Sequence, residues 1–159
     1  MGMAHLATRD VILIASGSKM SLIFGAEPLL QRAGLRPRLA SMPAWRLFEE
    51  QPSDYRESAL PSSVSTRISE EAASPLGWER WTGAEGAVLG VDEFGASAPG
   101  ATVLAEYGFT VDHVVERVLT LRAAHRKRND RARRARPSRV PVRTEVRADS
   151  HLRCQRRSR

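Results

Sequence analysis

The side chains of this chain that could do chemistry are few and scattered. Its histidines are His5, His113, His125 and His151, and no two of them have the spacing that puts a pair of metal ligands on one helix face. The single cysteine, Cys154, stands far from the body of the chain. No metal-ligating set is expected, and the imidazoles read as packed or solvated. Nucleophilic catalysis by serine would call for a strained elbow such as Gly-x-Ser-x-Gly, and Ser16-Gly17-Ser18 lacks the first glycine. That same tripeptide follows an apolar run and opens a helical pattern, so its backbone N–H groups and the helix dipole could hold an anion. Ser97, in Ala96-Ser97-Ala98-Pro99, has the same form. Both serines also suit plain helix capping. If the two loops meet at the carboxyl edge of one sheet, Ser16, Gly17, Ser18 and Ser97 would line a shallow ligand cleft, regulatory or vestigial in character. No catalytic, cofactor-binding or metal residue is expected.

The elements that would position these residues alternate between two periodicities. Val11 to Ala15 is a continuous apolar run of the kind buried on both faces of a parallel sheet. From Met20 to Ala33 the apolar residues fall three and four apart, an amphipathic helix that Gly34 ends and Pro28 should kink. Leu35 to Met42 reads as a second strand, and Ala44 to Glu50 and Ser53 to Ala59 as two short helices. Val64 to Ser69 and Gly86 to Val91 read as further strands. Ala101 to Tyr107 is a helix ended by Gly108. Thr110 should cap a last helix whose buried stripe is Val111, Val114, Val115, Val118, Leu119 and Leu121. Alternation of this kind predicts an α/β domain: three layers, α/β/α, around a mostly parallel sheet of about five strands. A short extension, residues 1–9, precedes a body of residues 10–122.

Charge divides the chain. Residues 1–122 carry 11 Lys and Arg against 15 Asp and Glu, whereas residues 123–159 carry 14 against 3. The basic segment has 13 arginines, one lysine and hardly any large apolar residue. It cannot bury enough surface to fold alone, so it is expected to be a disordered tail. Its mixture of arginine, alanine, proline and serine is also what GC-rich DNA yields in an unintended reading frame. No apolar stretch is long enough to span a bilayer, no secretory signal is visible, and one cysteine permits no internal disulfide. A cytoplasmic location and no membrane partner are the expectations.

Several words in the middle of the chain carry more. They are Ser41-Met42-Pro43-Ala44-Trp45 with Leu47-Phe48 and Gln51, Tyr55-Arg56-Glu57-Ser58 with Leu60-Pro61, Gly77-Trp78-Glu79-Arg80-Trp81, Phe94-Gly95-Ala96-Ser97-Ala98-Pro99 and Tyr107-Gly108-Phe109-Thr110. In this order and with these gaps, from Asp10 to Leu121, the chain resembles the C-terminal domain of transketolases. Lys19 stands where that family usually has an acidic residue, and Ala73 near where it often has glycine.

The resemblance implies ketol transfer between sugar phosphates, in the pentose phosphate pathway, by a full-length enzyme that uses thiamine diphosphate and a divalent metal. It also implies that the domains holding that cofactor precede this one, and no Gly-Asp-Gly followed by Asn stands in their place here. The expected role is therefore assembly without catalysis. The partner would be a chain bearing the thiamine diphosphate-binding domains, or a second copy in a homodimer. The alternative is a nucleic-acid or polyanion-binding module that uses the basic tail.

Overall fold

The computed structural model describes residues 9–91 and 100–135. Four parallel strands form its sheet: β1 (Val11–Ala15), β2 (Pro37–Ser41), β3 (Arg67–Glu70) and β4 (Ala87–Leu89), in the spatial order β2-β1-β3-β4. This is one strand fewer, among the described residues, than the sequence led us to expect. The helices are α1 (Met20–Arg32), α2 (Trp45–Glu49), α3 (Ser53–Ala59), α4 (Glu79–Thr82), α5 (Gly100–Glu106) and α6 (Val111–Ala135). A 3-10 turn, Gly17–Lys19, leads into α1.

Strand β1 is central, and all five of its side chains are fully buried. Alternation along it divides the core in two. Val11, Leu13 and Ala15 face α1 and α6, where they meet Ile23, Ala26, Leu30, Val114 and Val118. Ile12 and Ile14 face the opposite layer and pack with Met42, Leu60, Trp78 and Trp81. Burial on both faces explains why this strand is an unbroken apolar run. Helix α1 closes in a Schellman motif: Leu35 N–H donates to the Leu30 carbonyl and Gly34 N–H to that of Gln31, with Gly34 at φ +77. Pro28 lies inside α1 without ending it.

The aromatic words of the sequence converge on the second layer. Trp45 and Trp78 meet edge to face with centroids 5.2 Å apart, as do Phe48 and Trp81. Gly77 sits between them at φ +84, and a Cβ there would lie 3.0 Å from the Trp45 ring. Both the conformation and the close approach demand glycine.

The largest departure from expectation is α6. Thr110 caps it as anticipated, its hydroxyl accepting from His113 N–H at 3.2 Å. The helix does not stop near Arg122, however, but continues to Ala135, so residues 123–135 are helical and not a disordered tail. The physical reason is visible at His125, which is buried and continues the stripe of Val114 and Val118 at helical spacing. Its Nε2–H donates to the Glu85 carbonyl at 2.9 Å, and its Nδ1 accepts from the Thr66 hydroxyl at 2.9 Å. Arg128 adds an ion pair with Glu85. The rest of the tail, residues 136–159, lies outside the described residues.

Candidate functional site

The chain leaves β1 through α1 toward β2 and leaves β3 through α4 toward β4, while β1 and β3 are neighbours. Their carboxyl ends therefore form a topological switch point, where open parallel sheets of this class hold ligands. Ser16, Gly17 and Ser18 lie there, directly after β1. Ser97, the other residue of the expected cleft, falls outside the described residues. Ser16 was expected to cap the helix, but its side chain makes no cap bond. Its hydroxyl donates instead to the carboxylate of Glu71, one residue beyond the end of β3. Gly17 and Ser18 are exposed.

Beneath this loop lie two charged residues that their sequence context does not advertise. Glu70 ends β3 opposite Ala15, is fully buried, and neither of its carboxylate oxygens has a hydrogen-bond partner. Lys19 is 5% exposed, and its ammonium sits 5.3 Å from the centroid of the Phe109 ring, a cation–π contact. Burial pushes the Glu70 carboxyl up to about 7, and the positive charge of Lys19 opposes that rise. An acidic side chain at position 19, the type the family resemblance led us to expect, would raise it further. A carboxyl poised near neutrality could in principle give or take a proton. With no surface of its own, Glu70 cannot reach a substrate atom, so it acts here on stability.

A second polar centre lies at the start of β3. Arg67 is half-buried and donates to four backbone carbonyls: Val64 at 2.9 Å, Trp81 at 2.9 Å, Leu60 at 3.2 Å and Pro61 at 2.8 Å. It ties the strand to the loop before it and to α4, and its donors are turned inward to the fold. At the opposite, amino edge of the sheet, Asp10 accepts from Arg36 at 3.0 Å and from Arg122 at 2.9 Å. Hydrogen bonds from Arg36, reinforced by the charges of Arg122 and Arg36, outweigh its burial and hold the Asp10 carboxyl below the usual range.

Among the described residues, no group of three or more His, Cys, Asp or Glu side chains could hold a metal ion. No helix among them is long and apolar enough to cross a membrane.

Residues 3–110 match the family model of the transketolase-like TK C-terminal domain. The chain belongs to this family. As a transketolase-like C-terminal domain it is 47% identical over 112 residues to a transketolase of Geobacillus stearothermophilus, an alignment covering 70% of this chain and 17% of that protein. The solved transketolase of Leishmania mexicana superposes with a TM-score of 0.68 at 36% identity, over 75% of this chain and 17% of that one. A split-gene transketolase, solved as an inactive β4 tetramer, shares the fold with a TM-score of 0.55 at 19% identity, over 72% of this chain and 40% of that one. The transketolase-like domain thus spans about a sixth of the length of the curated relatives it matches. Helix α6 begins where the family match ends, yet its Val114 and Val118 complete the core.

Proposed function

We infer that this chain serves as the C-terminal domain of a transketolase-like enzyme, and that it contributes assembly and not chemistry. The observation that carries this reading is the match of residues 3–110 to the transketolase-like C-terminal domain. The exposed apolar surface adds support. Leu47 and Tyr55 are more than half exposed and flank a groove of about 290 Å³ that runs from Ser41 to Tyr55. A patch of this kind, close to the buried Trp78 and Trp81 layer, fits coverage by a neighbouring domain. In this reading the chain alone neither holds the cofactor nor transfers a ketol unit. Mixed with a chain bearing the two preceding domains of the family, it should co-migrate on gel filtration, and Leu47→Asp should separate the two. Failure of the unaltered chain to co-migrate would count against the assembly role.

A second reading is favoured by one observation, the exposed basic end of α6. Arg126, Lys127, Arg128, Arg131, Arg133 and Arg134 are all exposed, with Asp130 the one acidic residue among them. Such a helix can release counterions from a polyanion. Replacing Lys127, Arg131 and Arg134 by glutamine should then weaken binding to duplex DNA and flatten its salt dependence. Unchanged binding would remove this surface from consideration.

A further inference from the structure

We propose that the groove at the amino edge of the sheet, between α6 and residues 63–66, binds a phosphate-type oxyanion through Arg126, Arg9 and Asn129. It has a volume of about 230 Å³. That is below the roughly 300–1,000 Å³ typical of sites for drug-sized ligands, so it suits a compact anion. Three arginines line it, Arg9, Arg122 and Arg126, against a single carboxylate, Asp10. That carboxylate already holds Arg36 and Arg122. Arg9 donates to the Pro37 carbonyl at 3.4 Å but has no carboxylate partner among the described residues, and Arg126 is exposed and has none either. The remaining polar groups, the hydroxyls of Ser63 and Ser65 and the amide of Asn129, add neutral donors without adding negative charge. Guanidinium groups match oxyanions in a planar, two-point geometry, which selects phosphate over halide.

The scaffold holds these groups in place. Arg122, Arg126 and Asn129 follow at spacings of four and three, so they share one face of α6. His125 anchors that turn of the helix through its bonds to Thr66 and Glu85. The negative end of the helix dipole is at Ala135, more than a turn away, and its effect fades within the last turn. Arg122, Arg126 and Asn129 lie beyond residue 110, where the match to the family model ends, so the proposal does not rest on the ketol-transfer reading.

The test is thermal unfolding of the full chain in inorganic phosphate against chloride at equal ionic strength, with calorimetric titration of phosphate. Phosphate should raise Tm in a saturable way. Joint substitution Arg9→Ala and Arg126→Ala should weaken binding at least tenfold. Asn129→Asp, which removes no arginine, should do the same by placing a charge on the same face. Arg46→Ala, on the other side of the sheet, should leave binding intact. A short DNA duplex that binds through the same arginines and is displaced by phosphate identifies a nucleic-acid backbone as the source of the group. A duplex that does not compete identifies a free phosphate or phosphate monoester. No phosphate-specific rise in Tm, or an equal loss in the Arg46→Ala chain, overturns the proposal.

Discussion

Replacement of Arg67 by alanine is expected to cost about 3–5 kcal/mol of folding stability. The size follows from the four carbonyls that lose their donor together, those of Leu60, Pro61, Val64 and Trp81. Leu60, Val64 and Trp81 belong to buried residues of the second core layer, so water cannot fully replace the lost donor. Arg67→Met would restore much of the volume and none of the hydrogen bonds, and should lose nearly as much. Arg67→Lys should fall between, because an ammonium has three donors and no planar fork. Urea unfolding of the three variants gives the ranking. A loss below about 1 kcal/mol for Arg67→Ala would show that the loop finds other donors.

The second large effect is a pH dependence that belongs to Glu70. Its carboxyl is pushed up to about 7 in the folded chain from an ordinary 4.5. A raised folded value means that the folded state binds the proton more tightly than the unfolded state. The stabilising contribution is therefore full below about pH 4.5, and it is lost as pH rises toward 7. The difference amounts to about 3 kcal/mol across that window. Asp10 and Glu57 act with the opposite sign, since hydrogen bonds lower both, and their contributions are lost only on acidification through the range of their own carboxyls. Comparison of unaltered chain and Glu70→Gln between pH 5 and pH 8 isolates the effect. The slope present in the first should vanish in the second. Lys19→Met should shift the window upward, because it removes the positive charge that opposes the rise. A Glu70→Gln chain with the same slope would move the origin of the pH dependence elsewhere.

Much of the fold could be read from pattern alone. The run Val11–Ala15 marked a strand buried on both faces, and α3 occupies the anticipated Ser53–Ala59. The third strand starts at Arg67 and not at Val64, because Val64 N–H is held in a turn by the Pro61 carbonyl. Helix α4 has four residues, too few for any periodicity to show. The extension of α6 was missed because the absence of large apolar residues argues against independent folding. That argument does not apply to a segment that grows from a helix already packed. Propagation needs no new nucleus, and alanine and arginine are strong helix formers. His125 was the available signal, at helical spacing from Val114 and Val118. The buried pair of Lys19 and Glu70 was not legible. A glutamate at a strand end and a lysine in a serine-rich loop both read as surface, and only the packing of β3 beside β1 under Phe109 removes them from water.

In the proposed reading this domain has no catalysis of its own. Ketol transfer from a ketose phosphate to an aldose phosphate, measured on the purified chain with thiamine diphosphate and a divalent metal present, tests it directly. The expected result is no product above the protein-free control and no heat of cofactor binding. Transfer by the chain alone, with no partner protein present, would contradict it.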